Sequence, residues 1–365
     1  MARLLEVTRL GIVEYEDGLD LQEELRRLVT AGEAAERFLL LQHPPVITLG
    51  RNTGDGNVVA SPDELARRGI ACFPAGRGGD VTFHGPGQIV GYPIVNLHPD
   101  RRDVRRYVRD LEEVLIRTLA DFGVASGRIA GLTGVWVGDL KVAAIGVRIS
   151  RWVTTHGFAL NVATDLSFFE TIVPCGITDR GVANLSRLAG EEIPLPAVED
   201  RLVRHFADVF EREVAEREIS SRSAQIWLWR EGPDGREVLL LHRVPAEGDF
   251  WQPVTGLLEA GEAPAAAAAR EVREETGLAL AAEPADLGYV RDFRIEPEYL
   301  GDRGPHPWIN REHAFAARID PKAAITLSPT EHDEYLWTDP ETARQRLRWN
   351  GNRRALDRLE RELAR

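Results

Sequence analysis

Apolar and polar positions change period along this chain of 365 residues. In the first half, short apolar runs are punctuated by Gly and Pro. Those at Phe38–Gln42, Val46–Leu49, Ile89–Val95, Gly134–Val137 and Val142–Ile149 predict strands. Leu21–Leu28 and Val104–Phe122 carry apolar residues at near-helical spacing and predict helices. The Pro-rich run Ile193–Ala197 leads into Val198–Arg217, whose Glu- and Arg-rich pattern predicts an amphipathic helix. The small polar stretch Ile219–Ala224 reads as a linker. Beyond it, Ala224–Trp229 and Glu237–His242 flank the turn Glu231-Gly-Pro-Asp-Gly235, a hairpin signal. Ala263–Ala269 precedes a charged helical run, and alanine is the best helix former, so this patch is helix.

Length then fixes the organisation as two domains, 1–218 and 221–365. A composition of 43% hydrophobic and 28% charged residues excludes a disordered or fibrous chain. The net charge of −13 divides evenly, 25 basic against 32 acidic groups in residues 1–220 and 20 against 26 in residues 221–365. Neither half has the basic excess that a phosphate backbone needs, which argues against a nucleic-acid partner. A small triphosphate stays open, because a metal supplies positive charge. Two cysteines make no disulfide framework. Met1–Arg9 is broken by charge and holds no signal-peptide core, and no apolar run approaches the ~20 residues of a membrane span. The expectation is a cytoplasmic protein with no membrane partner. One bias stands out: 43 of the 45 basic residues are arginine, and the two lysines are Lys141 and Lys322.

The second half holds the more specific motif. Gly256-Leu-Leu-Glu-Ala-Gly-Glu262 is followed by Arg270-Glu-Val-Arg-Glu-Glu-Thr-Gly-Leu278. Glu271, Glu274 and Glu275 stand at i, i+3 and i+4, so on a helix their carboxylates share one face. Nothing in the stretch sets three cations beside them, and a hard divalent cation would accept their oxygens. Gly277 suits the position that ends the helix. A solvated acidic face is the plain alternative. Against it, the pattern G-x5-E-x7-R-E-(apolar)-x-E-E-x-G-(apolar) is met at every position. The segment resembles the Nudix box. That resemblance implies an α/β/α sandwich, Mg²⁺ held by Glu271, Glu274 and Glu275, and water attacking a phosphorus atom, with Glu274 catalytic. Phe250–Gly256, Thr330-Glu331-His332 with Tyr335 and Trp337, and Trp349–Arg353 are similar to the bacterial dihydroneopterin triphosphate diphosphatases. This implies Glu331 as a further metal-linked carboxylate or base, a substrate loop at His306–His313, and a nucleoside or pterin phosphate as substrate. Core packing is the plain alternative for Trp251, Trp337 and Trp349.

The first half carries a different chemistry. The glycine-rich run Ala75–Gln88 lets backbone approach a ligand closely, a weak signal by itself. Lys141 enters an apolar strand after the turn at Gly138-Asp139. Burial penalises a charged lysine and brings it towards the range of a general base. A lysine snorkelling at a strand end is the alternative, weakened by how rarely this chain uses lysine. Cys175 lies between Pro174 and Gly176 on a constrained turn, whereas Cys72 reads as a small buried hydrophobe. A lysine near Cys175 would take its proton.

Leu49-Gly-Arg51, Arg77–Gln88, Lys141–Gly146, His156–Val162 and Pro174–Ile177 resemble the lipoyl(octanoyl) transferases, in that family's order, across about residues 5–215. The resemblance implies an α+β, mixed-sheet fold of the biotin/lipoyl-ligase kind. It also implies transfer of octanoyl from acyl carrier protein to the Cys175 thiolate. The acyl group then passes to a lysine of a lipoyl domain, in 2-oxoacid dehydrogenases or the glycine cleavage H protein. Lys141 would be the base, and no cofactor is implied for this half. Arg77, Gly78, Gly79, Asp80, Val81, Thr82, Phe83 and His84, with Ala144, Ile145, Gly146, Gly157, Phe158 and Ala159, would line the substrate site. Phe83 stands where the family often has tyrosine. Arg101–Arg109 is the expected basic patch for an acidic carrier protein. Two rivals stay open: an ATP-dependent lipoate–protein ligase, which needs no cysteine, and a second half acting as a ligand sensor.

Overall fold

The computed structural model describes residues 3–54, 56–173, 180–233, 235–245, 248–295 and 309–364. The chain folds as two units, Met1–Glu218 and Ile219–Arg365.

The first unit opens on β1 (Arg3–Ile12) and α1 (Tyr15–Ala31), which run into β2 (Glu36–Gln42) and β3 (Val46–Leu49). A short α2 (Pro62–Arg67), capped by the Ser61 hydroxyl, precedes β4 (Ala71–Pro74), β5 (Thr82–His84) and β6 (Gln88–Ile94). Asp103 caps α3 (Val104–Ala120). Then come β7 (Gly127–Ile129), β8 (Leu132–Val137), β9 (Leu140–Ser150) and β10 (Val153–Asn161). The unit closes with β11 (Gly181–Val182), α4 (Leu185–Ala189), α5 (Leu195–Phe210) and β12 (Arg212–Glu216). Among the described residues the main sheet has nine strands in the order β12-β1-β2-β6-β10-β9-β8-β7, with β11 beside β9. Strands β4-β3-β5 make a smaller sheet. The apolar stripes of α3 and α5 cover one face of the main sheet, burying Leu111, Leu115, Phe206 and Phe210 with Phe38 and Leu160.

The helix expected to reach Arg217 stops at Phe210. Glu211 turns left-handed at φ 54°, and residues 212–216 pair in parallel with β1. The alternation of Arg212-Glu-Val-Ala-Glu216 suits a strand, and the buried Arg212 side chain donates to Glu36 at 2.6 Å. Cys72, expected inside, is exposed on β4, an edge of the smaller sheet. In the expected basic patch, Arg101 is buried and paired with Asp110, and only Arg102, Arg105, Arg106 and Arg109 face solvent.

The second unit comprises β13 (Ser221–Gly232), β14 (Gly235–Arg243), β15 (Trp251–Gln252), β16 (Val254–Leu257) and α6 (Pro264–Thr276). It continues with β17 (Ala285–Arg294), β18 (Ile309–Arg318), β19 (His332–Thr338), α7 (Pro340–Arg346) and α8 (Asn350–Leu363). Its mixed sheet runs β15-β14-β13-β18-β17, with β16 on β13 and β19 on β14. One face of β13 (Ala224, Ile226, Leu228) packs with Ala267, Ala268 and Val272 of α6. Trp227, on the other face, packs with Ala343 of α7 and Leu356 and Leu359 of α8. Helices on both faces are the expected sandwich. The expected linker is partly strand: Ser221–Ala224 belong to β13. Ser221 and Ser223 are polar there because their hydroxyls meet Asn310 at 2.8 and 2.7 Å across the sheet. No described helix is long and apolar enough to cross a membrane.

Candidate functional site

In the first unit the site is built on β6, β10 and β9, and the strand register sets its rungs. Gln88 stands opposite Asn161, Val90 opposite Ala159 and Ala159 opposite Ala144; Gly157 stands opposite Gly146. Alternation sends Gln88, Val90 and Tyr92 to one face. With these partners they line a cavity of about 420 Å³. Lys141 lies at one end of it, and Tyr15, Tyr92 and His156 at the other. Lys141 is 8% exposed, with Nζ 4.8 Å from the centre of the Trp136 ring. Gly138, at φ 57°, makes the turn that starts its strand. Val182 of β11 pairs with Lys141, and the Ala183 N–H donates to the Lys141 carbonyl at 3.0 Å.

The glycine-rich loop sits directly on β9. A Cβ at Gly146 would lie 2.9 Å from both Arg77 Cδ and the Gly78 carbonyl oxygen. Arg77, buried, donates to the Thr48 carbonyl at 2.8 Å, the Thr48 hydroxyl at 2.7 Å and the Asp80 carbonyl at 2.8 Å. Asp80 accepts from Asn57 Nδ2 at 2.8 Å and the Val81 N–H at 2.6 Å.

A chain of uncharged hydrogen bonds backs the cavity. Gln88 Nε2 donates to Asn161 Oδ1 at 2.9 Å and the Phe83 carbonyl at 3.1 Å. Its Oε1 is therefore the acceptor, and His84 Nδ1 donates to it at 2.7 Å. Asn161 Nδ2 donates onward to the Ala183 carbonyl at 3.1 Å. His43 Nδ1 donates to the Val13 carbonyl at 2.6 Å, which leaves Nε2 to accept from the Tyr92 hydroxyl at 2.7 Å. Burial pushes His43 down to about 4 and His156 down to about 3, and holds His84 well below the usual histidine range. Burial likewise raises the phenol of Tyr15 to about 12. At neutral pH these groups make a polar wall without charge.

Of the residues expected at the substrate site, Arg77, Gly79, Asp80, Val81, Thr82, His84, Ala144, Ile145, Gly146, Gly157, Phe158 and Ala159 line the cavity together with Lys141. Gly78 and Phe83 do not. The Gly78 N–H bonds the Val147 carbonyl at 2.9 Å. Phe83 alternates away on β5 and stacks on Phe168 at 4.9 Å. Cys175 lies outside the described residues. The lining also includes Tyr15, Gln88, Leu132, Thr133, Tyr92 and Asn161. Their signal in the sequence is slight: polar side chains within a strand that has no wet face, as at the two ends of Gln88-Ile-Val-Gly-Tyr92.

In the second unit the acidic helix is α6, ended as expected by Gly277 at φ 70°. One guanidinium meets two of its three carboxylates. Arg270 donates to both oxygens of Glu262 at 3.0 and 2.9 Å, to Glu271 at 2.7 Å, to Glu274 at 2.9 Å and to the Leu257 carbonyl at 2.9 Å. Its hydrogen bonds hold Glu262 down to about 2. Glu271 fills the space left by the missing side chain of Gly256, where a Cβ would come within 1.9 Å of the carboxylate. Glu274 is half exposed. Glu275 is 1% exposed, and neither of its oxygens has a hydrogen-bond partner. Burial raises its carboxyl above the ordinary value, with the nearby His332 acting the other way. Donor atoms of Glu275, Glu331 and His332 lie within 4.8 Å of one another, and among the described residues this is the set grouped closely enough for an ion. Glu271 and Glu274 accept hydrogen bonds from Arg270, and the Glu271 and Glu331 carboxylates both act on Glu275. Glu331 also accepts from Arg243 at 3.1 Å. His306–Trp308, the first part of the expected substrate loop, lies outside the described residues.

Comparison with known proteins follows the same division. The family described as the lipoyl protein ligase A/B catalytic domain matches residues 14–207. An octanoyltransferase of Myxococcus xanthus is 46% identical over 361 residues, covering 97% of this chain and 98% of its own. The chain belongs to the octanoyltransferase family. Another octanoyltransferase, of Solibacter usitatus, is 55% identical over 206 residues, 56% of this chain and 93% of its own. The NUDIX domain matches residues 221–359, so this octanoyltransferase-family chain carries a Nudix domain behind its transferase unit. The Myxococcus relative spans both units. A crystal structure of lipoate–protein ligase A bound with ATP is similar to the first unit at a TM-score of 0.50 and 17% identity, covering 60% of this chain and 90% of its own. That likeness shows the fold of the first unit alone.

Proposed function

We propose that the first unit transfers an octanoyl group from acyl carrier protein to the lysine of a lipoyl domain, through a thioester on Cys175. The observation that carries this reading is the cavity itself, a groove backed by neutral histidines with its buried lysine, Lys141, at one end. The small side chains of Ala144, Ala159 and Gly157 leave a slot for an apolar chain. Lys141 accepts the Cys175 proton, and the thiolate attacks the incoming thioester, expelling the carrier thiol. Lys141 then takes the proton of the acceptor amine as that amine attacks the acyl-enzyme, releasing Cys175. The first step exchanges one thioester for another and is nearly balanced; the second makes an amide and is downhill. The deciding experiment mixes the full chain with octanoyl-carrier protein and weighs it intact. An octanoyl adduct on Cys175, discharged by a lipoyl domain and absent in Cys175→Ala, is expected. Transfer by Cys175→Ala that requires ATP would establish the ligase reading instead.

For the second unit we propose hydrolysis of a nucleoside or pterin triphosphate with Mg²⁺ or a related divalent cation. The residues fit a cation, because Glu275 presents two buried oxygens that nothing else satisfies and Glu331 lies beside it. When bound, the cation would supply positive charge that offsets the charge developing on the phosphate. Glu271 and Glu274, on the same helix as Glu275, would complete the carboxylate set that holds the cation, with Glu274 as the catalytic group. Pyrophosphate release across a panel of triphosphates tests this. No turnover of any member, with retained ligand binding, would leave a sensor.

A further inference from the structure

The cavity of the first unit is floored by small and apolar residues, Val90, Ala144, Gly146, Gly157 and Ala159, but it does not end in them. At the Lys141 end the lining residues Gly131 and Thr133 are exposed. At the far end Tyr15, Tyr92 and His156 are buried. His156 differs from the other histidines of this wall in two ways. Its backbone is left-handed at φ 56° inside β10, where residues other than glycine are uncommon. Its N–H donates to Gln22 Oε1 of α1 at 2.7 Å, which holds that strained bend in place. Its ring, moreover, makes no hydrogen bond to a described residue, whereas His43 and His84 are tied to Tyr92 and Gln88. The ring stands edge-on to Tyr92, with centres 6.2 Å apart. Burial first, and the Arg77 charge second, keep it neutral, so it carries one N–H donor and one lone pair. Buried polar groups are paired with protein or with water. A ring that the protein leaves unpaired finds its partner in the cavity it lines.

We propose that His156 is the end stop of the acyl slot, holding a water there or, in its place, a hydroxyl on the last carbon of the acyl chain. The inference rests on the reading of the first unit as an acyl transferase. It adds a substrate class, the ω-hydroxyacyl thioester, and a residue that sets chain length. A short chain leaves the water on His156 undisturbed. A plain chain long enough to reach His156 pushes a methyl group into the water and replaces none of its hydrogen bonds. A chain of that length ending in a hydroxyl restores them. An end built from apolar residues would order the two chains the other way, because a buried hydroxyl without a partner is penalised. The bonds made and broken at Cys175 are the same for every chain, since only the far terminus differs.

The test uses the full chain with a lipoyl domain and pairs of carrier-protein thioesters in competition. Each pair has one chain length, from octanoyl to dodecanoyl, with and without a terminal hydroxyl. Intact mass of the acylated lipoyl domain gives the ratio of kcat/KM within each pair. Plain chains are expected to fall by about 10–100-fold at the length that reaches His156, and their ω-hydroxy partners to be preferred from that length on. His156→Gly keeps the left-handed backbone and removes the ring, so the hydroxyl preference should disappear in it. A wild type that prefers the plain chain at every length overturns the proposal, and that measurement needs no variant to fold. A hydroxyl preference that survives in His156→Gly overturns the assignment to this residue. Octanoyl transfer without any hydroxyl preference spares the transferase reading, whereas no transfer of any chain would sink both.

Discussion

His43, His84 and His156 in the first unit, and Glu271, Glu275 and Arg270 in the second, are all largely withdrawn from water. The first set is kept neutral: each ring is pushed down in pKa by burial, and two are tied by hydrogen bonds to Gln88, Tyr92 and a backbone carbonyl. In the second unit, Arg270 gathers three carboxylates, and Glu275 and His332 are drawn together. Glycines serve both schemes differently. Gly85 and Gly91 make room for the rings of Phe83 and Phe158, whereas Gly256 and Gly351 make room for Glu271 and Arg291. The lesson is that the missing side chain takes its meaning from what fills it. A neutral wall suits an apolar chain; a charged one suits phosphate and metal.

The sharpest way to break this contrast is to fix a permanent charge at Lys141, beside the neutral histidine wall. Lys141→Arg cannot give up a proton and is expected to cut acyl transfer by about 10²–10⁴-fold in kcat. Wild-type rates in that variant would remove Lys141 as the base. In the charged site the reverse change applies. Glu275→Gln keeps shape and loses charge, and should lower cation-dependent pyrophosphate release by about 10²-fold or more.

Acid should then separate the two units. A buried neutral histidine is stable above its unfolded value near 6.5 and loses that contribution as pH falls towards its folded value of about 4 for His43. The loss from His43 is on the order of 3 kcal/mol. Glu262 behaves as a depressed carboxylate: its contribution is complete above 4.5 and fades only as pH falls towards about 2. Calorimetry of the chelated chain should therefore show the first unit's transition falling between pH 6.5 and 4.5 while the second holds. A parallel fall of both would erase the distinction. The smallest effects are expected from single methyl groups. Gly146→Ala and Gly256→Ala should each cost about 1–3 kcal/mol, read as a lowered midpoint in the unit that carries the change.

How much of this was legible follows from the kind of signal each residue gives. The Nudix box announced itself because four functional groups sit within a few turns of one helix. Lys141 was legible through its rarity. Tyr15, Gln88, Tyr92 and Asn161 were not, because they come from α1, β6 and β10 and meet only when the sheet forms. The extra strand at Arg212–Glu216 was hidden because its alternating charges also satisfy a helical pattern, and its partner β1 lies some two hundred residues earlier. Arg270 was in plain view but looked like one cation against three carboxylates; only side-chain geometry shows that its planar guanidinium takes two of them, Glu271 and Glu274, together with Glu262.

That same strand decides where the two activities can be cut apart. Arg212 meets Glu36 at 2.6 Å with both side chains buried, and Arg217 meets Glu6 at 2.7 Å, while Glu6 also neutralises the buried Arg37. A fragment trimmed to the family match, 14–207, discards β1 and β12 and strands Glu36 and Arg37 without their partners. Losing one partner of a buried pair costs about 3–5 kcal/mol. A transferase fragment that ends at 218 keeps every one of these pairs, so the terminus of a working half is set by its ion pairs and not by where similarity runs out.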